Sequence, residues 1–435
     1  MITTRGFSAL ALVSGKAAGV ENLSIAEYPG PVGIHDILEI TSNINDVLID
    51  KIVEGLLTGS AAVSGGAVVG NPEQIVFSGN QDQINGFFAE QGWGDGLPMH
   101  PPTPERIEEF LKYTDLPRHG AVASLLPNQS VATPWNIAAN GIMAGCQPQH
   151  MPLLIAMAEG LGDEKYALNM IGSSSGLIPF AVFNGPVVDQ CDIAYGARLI
   201  SLGSNPALGR ALGMMVKNIA GYRPEGNYMG TFGYALGFSL AEFEKESPWE
   251  PFNVEQGFEP GSSTVTIGVT NNWGPSPGAA STDDLGGADT ALELLGREIK
   301  KKVRLYNYPG IGANAEHVMI TLLMTPAVAQ SLAEAGYSKA DVKKHLYENT
   351  KMSLRDFEWI LRHQSIMGRT LREMVEAEAY PKEFLGEPDD MVRVLSSPDL
   401  LHIIVCGDIN RNRVMVLEGG HTRPTTKLIR LLPLR

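Results

Sequence analysis

The chain is poor in cysteine, in basic residues and in long apolar runs, and each shortage removes a class of protein. Three cysteines, Cys146, Cys191 and Cys406, are spread through 435 residues with no CxxC pair and no Cys/His metal spacing. That excludes a disulfide scaffold and the common zinc sites, and it fits a reducing cytoplasm. Lys and Arg number 33 against 48 Asp and Glu, a formal net charge of -15. A nucleic-acid backbone or an anionic membrane needs clustered cations, so neither is expected as the main partner. The one basic run, "REIKKKVR" at 297–304, reads as a solvated helix face. No apolar run approaches the roughly 18 residues of a membrane-spanning helix. The start, "MITTRGFSALALVSGKAAG", is interrupted by Lys16 and reads as a strand or arm, not a signal peptide.

What remains is ordinary for a folded protein: 44% hydrophobic and 19% charged residues, in a chain long enough for two or three domains. The pattern predicts an α/β fold, with mixed α+β as the alternative, in which helices layer on sheets. Residues 1–85 read as an N-terminal α+β extension, with a helix over "INDVLIDKIVEGLLTG" (44–59), a strand over "QIVFSG" (74–79) and a loop over "GSAAVSGGAVVG". Residues 86–285 read as a glycine-rich α/β core. The breaker-rich stretch 271–289 separates it from an α/β unit at 286–435, so two packed units follow the extension. Ser338 with Asp341, and Ser353 with Asp356, mark helix starts in that last unit. Apolar runs at 316–336 and 399–420 suit buried strands.

Thr103-Pro104, Thr133-Pro134 and Thr325-Pro326 each combine an N-cap hydroxyl with a proline at the first helical position. The first pair explains the right half of "QGWGDGLPMHPPTPERIEEF" (91–110). The left half, "GWGDGLP", needs positive φ or close backbone approach at its glycines. Asp95 then either caps backbone N–H groups in a turn or faces a pocket, with Trp93 as one wall and His100 nearby. In "ANGIMAGCQPQHMP", Cys146 lies between the end of one helix and the start of another, with His150 four residues on. It is either a small buried thiol or a nucleophile with a base.

"SNPALGRALGMMVKN" (204–218) offers Asn205 as an N-cap and Arg210 one turn inside. A glycine-rich approach to a helix start backed by Arg suits a carboxylate or phosphate, although neither a Walker loop nor a dinucleotide fingerprint is present. The cofactor stays unassigned. "AEFEKESPWEPFNVEQGF" (241–258) carries five glutamates around Trp249. They read as solvated surface, or else Glu242 or Glu250 is desolvated with a pKa raised for acid–base work.

As a set, "GWGDGLPMHPPT", "ANGIMAGCQPQHMP", "NPALGRALGMMVKNIAG", "SPWEPFNVEQGF" with "STVTI", and "AEAGYSKADVKKHLYE" resemble the large WGDGLP-motif proteins. Those proteins are neighbours and partners of small UGSC-motif proteins carrying selenocysteine or cysteine in a Cys-Gly-Ser-Cys-like loop. The resemblance spans about residues 90–420 and implies a large subunit working with a redox-active thiol or selenol, reminiscent of glycine-reductase-type systems. This chain lacks such a loop, so that group would come from another polypeptide. His100 and His150 stand where the family suggests apolar or aromatic residues.

The expectation is an enzyme, or the substrate-binding subunit of one, acting on a small anionic organic molecule and cleaving or rearranging a carbon–heteroatom bond. Asn205 and Arg210 would hold the anion, Asp95 with Glu242 or Glu250 would move protons, and Cys146 would be the nucleophile or a pocket thiol. It would work as a lyase or hydrolase alone, or as a reductase with a small Cys- or Sec-containing partner, in a homo- or hetero-oligomer. A non-catalytic assembly subunit and a metal-dependent hydrolase using Asp95 and His100 are the alternatives.

Overall fold

The computed structural model describes the chain apart from residues 5–6, 9–10, 13–14, 16–19, 21, 31, 33–34, 59–70, 173–175, 224–226, 231–236, 275, 279–286, 303–319, 365–369, 420–422 and 433–435. The loop expected after residue 59 and much of the expected 271–289 boundary lie outside the described residues.

At the N-terminus, β1 (Ile2–Thr4) pairs in parallel with β2 (Ala26–Tyr28). Helix α1 (Ile37–Asn43), capped by Asp36, continues through a π-helical turn at Ile44–Leu48 into α2 (Ile49–Thr58). Its small core is Ala26, Tyr28 and Leu48. Residues 74–79 form no strand, and among the described residues no segment pairs with them. Phe77 instead stacks on Phe87 of α3 (Gln81–Glu90), with ring centroids 4.7 Å apart.

The first α/β unit follows with α4 (Pro104–Leu111), the hairpin β3 (Ala123–Leu125) and β4 (Ser130–Ala132), α5 (Pro134–Ala144) and α6 (Met151–Leu161). Then come β5 (Ile178–Asn184), α7 (Val187–Gln190), α8 (Asn205–Asn218), β6 (Phe238–Ala241), α9 (Phe252–Glu255) and β7 (Thr264–Thr270). The second unit contains α10 (Gly287–Lys302), β8 (Ile320–Met324), α11 (Pro326–Glu334), α12 (Lys339–Asn349), β9 (Lys351–Ser353), α13 (Leu354–Gln364) and α14 (Leu371–Glu376). It continues with β10 (Met391–Arg393), β11 (Leu401–Val405) and β12 (Val414–Glu418), and the described chain closes on β13 (Thr425–Leu428).

Two mixed sheets carry the molecule. One runs β13-β7-β5-β6 and the other β11-β8-β12. They share a plan: β6 is parallel to β5 with β7 antiparallel on its other side, and β11 is parallel to β8 with β12 antiparallel on its other side. The last strand, β13, pairs with β7 and so completes the first sheet. That corrects the expectation that residues 286–435 form a unit of their own.

Because side chains alternate across a strand, each sheet presents two apolar faces. Phe180, Val182 and Leu240 of the first sheet meet Leu323, Ile404 and Leu417 of the second in one buried cluster. The opposite face of the first sheet, with Phe183, Val265 and Ile267, is covered by α6 and α8, on which α5 packs in turn. Leu322, Ile403 and Val416 of the second sheet pack with residues of α10, α11 and α12. The result is a mixed α/β fold of four layers, helix–sheet–sheet–helix.

Local chemistry accounts for several starts. Thr103 accepts from Arg106 N and Thr133 from Asn136 N, as expected of N-caps. Thr325 does not cap; its hydroxyl donates instead to the carbonyls of Arg411 and Arg413 and ties α11 to the loop before β12. Glycine in "NPALGRALG" is needed for packing: a Cβ on Gly209 would lie 2.5 Å from the Phe238 Cα, so glycine lets α8 approach β6 closely. No helix of the described residues is long and apolar enough to cross a membrane.

Candidate functional site

The WGDGLP loop is fastened to α8 by a polar ridge. Gly92 and Gly96 adopt positive φ, +65° and +92°, as the motif requires. Asp95 Oδ1 accepts from Leu97 N at 3.1 Å, closing an Asx turn. The same carboxylate takes a bidentate pair from Arg210, Nε to Oδ2 at 2.7 Å and Nη2 to Oδ1 at 2.8 Å. Arg210 also donates to the Pro98 carbonyl at 3.1 Å and the Leu97 carbonyl at 3.2 Å. Two turns further along α8, Lys217 donates to the Gly94 carbonyl and Asn218 Nδ2 to the Trp93 carbonyl at 3.1 Å. Residues spaced by seven and eight lie on one helix face, so α8 reads four carbonyls of one loop.

This corrects three expectations. Arg210 is occupied by Asp95 and two carbonyls, so it is not a free anion holder. Asp95 has only 4% of its side chain exposed. Burial acts to raise its pKa, but the Arg210 hydrogen bonds and the Leu97 N–H outweigh that and hold it below the usual carboxylate value. A carboxylate so held is a poor proton carrier at neutral pH. Trp93 is not a pocket wall; it packs edge-on against Phe87, centroids 5.6 Å apart, and is a wedge under α3.

Asn205 is fully buried and is not the N-cap, a position held by Ser204. Its side chain accepts from Ala194 N and donates to the Ala194 and Leu199 carbonyls, each at 2.8 Å, which stitches the preceding loop to α8. His100 is exposed. Cys146 is buried, and burial pushes its thiol well above the ordinary value, the reverse of what a nucleophile needs. Both ring nitrogens of His150 are taken, Nδ1 by Gln147 N at 3.1 Å and Nε2 by Ser204 Oγ at 3.1 Å. Ser204 in turn donates to the Cys191 carbonyl at 2.6 Å, so His150 serves neither cysteine nor serine as a base.

All three thiols are buried, and burial lifts Cys191 to about 11. A thiol reagent should therefore label essentially none of them in the native protein at neutral pH and all of them after denaturation, as a mass shift would report. His150 gives a pH prediction. Burial lowers it from 6.5 to about 4, so the unfolded chain takes up a proton before the folded one does. Its contribution is complete above pH 6.5 and is lost as the pH falls through 4, a change of about 3 kcal/mol. Denaturant melts at neutral pH and near the lower end of that window should show the loss, and His150→Gln should flatten it.

A second polar cluster lies where the two units meet. Asn184 ends β5 and Glu242 follows β6, so both stand at the carboxyl ends of adjacent parallel strands, where α/β sheets tend to bind ligands. Asn184 Nδ2 donates to Glu242 Oε2 at 2.7 Å and to Glu244 Oε1 at 2.9 Å. Glu244 also accepts from Gly185 N at 2.7 Å, and Glu242 Oε2 from Phe252 N at 2.6 Å. From the other unit, the Ser338–Asp341 capping box fixes the start of α12, placing Lys339 and Lys343 one turn apart on a single face. Lys339 Nζ lies 3.7 Å from Glu242 Oε1 and 3.7 Å from Glu255 Oε2, and Lys343 pairs with Glu255 Oε1. His402 of β11 meets the Phe252 ring edge-on, centroids 5.5 Å apart.

Five buried polar atoms here lack a hydrogen-bond partner: Asn184 Oδ1, Glu242 Oε1, Glu255 Oε2, Lys339 Nζ and His402 Nδ1. Such atoms are rare in folded proteins, and several together mark a place where folding has not been the only constraint. Burial raises the Glu242 pKa against the opposing pull of Lys339. Burial lowers Lys339 against Glu242 and Glu250, and lowers Lys343 against Asp399 and Glu250. His402 falls to about 3 through burial and the two lysines. Acid and amine are thus each pushed toward their neutral forms, which is the condition for exchanging a proton. Glu250 is exposed and acts on the lysines only through its charge.

Sequence reasoning reached Glu242 and missed Lys339, Lys343, Glu255, Asn184 and His402. One signal was legible. Lys339, Val342, Lys343 and Leu346 follow the i, i+3, i+4, i+7 spacing of a buried helix face, and two of those places hold lysine. Among the described residues, no group of three or more His, Cys, Asp or Glu is placed to hold a metal ion. The surface cleft lined by Tyr113, Pro152, Ile155 and Arg430 contains none of these groups. Compared with protein-family models, with curated proteins and with solved structures, the chain has no significant match.

Proposed function

We propose that this protein is an enzyme, or the substrate-binding subunit of one, acting on a small anionic organic molecule through proton transfer at the Lys339–Glu242–Glu255 centre. The observation that carries this is Lys339. Its side chain is 8% exposed, and its ammonium has no hydrogen bond although two carboxylate oxygens, also unpartnered, stand 3.7 Å away. A lysine kept for stability alone would close on one of those oxygens, because an unmade buried hydrogen bond costs about 1–3 kcal/mol.

Burial shifts Glu242 toward its neutral acid, and the paired Lys339 and Lys343 would hold a substrate carboxylate. Glu242 gives or takes the proton, and the bond changed is a carbon–heteroatom bond in a lyase- or hydrolase-type reaction. The resemblance to WGDGLP-motif proteins adds a thiol- or selenol-bearing partner as the route to a reductase. An assembly role has support of its own from the N-terminal helices, where Ile37, Leu38, Leu56 and Leu57 are 73–81% exposed. The buried free thiols fit a reducing compartment such as the cytoplasm.

The test is a thermal-shift screen of small hydroxy, amino and oxo acids. A ligand should stabilise the wild-type protein in proportion to log concentration, and Lys339→Met should abolish the response. A response surviving both Lys339→Met and Glu242→Gln would place the site elsewhere.

A further inference from the structure

Resting on that reading, we propose that the Lys339 amine is a nucleophile that forms an imine with a small 2-oxo acid, whose carboxylate Lys343 holds. Three features of the centre point there. Lys339 Nζ has no hydrogen bond within ordinary distance, its carboxylate neighbours Glu242 Oε1 and Glu255 Oε2 each standing 3.7 Å away, so no short contact holds the amine in place. Lys343 stands one turn away on the same helix face and is paired with Glu255, and burial lowers the Lys339 pKa toward the free amine. Glu242, with no side-chain exposure, and Glu255, 20% exposed, flank the amine on two sides. An acid buried beside the amine and a second cation one turn on match the two ends of a 2-oxo acid, a carbonyl that must lose its oxygen and a carboxylate that must be held. Glu255 is the more exposed carboxylate and the one paired with Lys343, so a substrate carboxylate takes its place at that ammonium.

The step balances as written. The neutral amine adds to the carbonyl carbon, forming the C–N bond while the carbonyl pair moves to oxygen. One amine proton and one proton from the Glu242 acid go to that oxygen, which leaves as water. The nitrogen keeps its other proton and forms the C=N bond, giving an iminium beside the Glu242 carboxylate. No oxidant or reductant takes part. The charged and titratable groups around the amine are Glu242, Glu250, Glu255, Lys343 and His402.

The experiment incubates the full-length protein with pyruvate and sodium cyanoborohydride, then maps the reduced adduct by peptide mass spectrometry. The expected result is an adduct at Lys339 in preference to surface lysines. It should be absent in Lys339→Arg and form about 100-fold more slowly in Glu242→Gln, the range of a lost general acid. Labelling spread over exposed lysines, with Lys339 unmodified, overturns the imine. A parallel measurement separates this from failure of the underlying reading: pyruvate protection of Lys339 from acetic anhydride. Protection without an adduct sinks the imine and leaves the proton-transfer centre standing, whereas neither protection nor adduct removes both.

Discussion

Asp95→Ala should cost the fold about 3–5 kcal/mol, the range for breaking a buried ion pair from one side. The loss follows from what Arg210 would be left with. Its side chain is 17% exposed and would keep the Pro98 and Leu97 carbonyls but lose both charge-assisted bonds to the carboxylate. The Asx turn that shapes the loop loses its acceptor as well, since Leu97 N has Asp95 Oδ1 as its partner. Residues 92–98 should become the first point of proteolysis, while ligand response at the Lys339 centre persists in whatever fraction stays folded. Asp95→Asn keeps one acceptor and should cost less. Denaturant melts with limited proteolysis check both. A loss of turnover with no loss of stability would instead return Asp95 to the catalytic role its motif suggested.

The second large effect separates function from stability. The double variant Lys339→Met with Glu242→Gln should melt at or above the wild-type temperature, because replacing a buried ion pair by groups of similar size is often neutral or stabilising by about 1–4 kcal/mol. Gln keeps a side-chain carbonyl oxygen for Asn184 Nδ2 and Phe252 N, and Met fills the space of the lysine stem. Small-acid binding should nonetheless vanish, and turnover should fall by about 100- to 10,000-fold with the loss of the acid–base pair. Stability bought at the expense of activity is the usual signature of a strained functional site. A double variant that unfolds would show the pair to be a structural pin between the units.

Much of the architecture was legible because it follows from local periodicity and capping. The starts at Thr103, Thr133 and Ser338 and the glycine conformations at 92 and 96 were read from residue order alone. The strand expected at 74–79 failed because β-propensity describes a surface that fits a neighbouring strand, and among the described residues none pairs with it. The assignment of β13 to the first sheet was beyond reach, since its partner β7 lies more than 150 residues upstream. The site was misread for a related reason. Asp95 and Arg210 looked like separate chemical groups in two motifs, and only the fold brings them into one salt bridge. Lys339 and Glu255 stood inside segments already singled out, but neither motif shows that the other's charge would meet it. Glu242 was the partial success: singled out among the glutamates around Trp249 as a desolvation candidate, it is the one fully buried at the end of β6.

The most direct measurement of the central claim is an NMR titration of the Lys339 ε-carbon, assigned by its loss in Lys339→Met. The amine should titrate below the ordinary lysine value of 10.5, and lower still in Glu242→Gln, because burial lowers it and Glu242 opposes that shift. Its resonance should also move when a small oxo or hydroxy acid is added. A Lys339 that titrates at or above the ordinary value and ignores every small acid would be a structural ion pair, and the site proposed here would not exist.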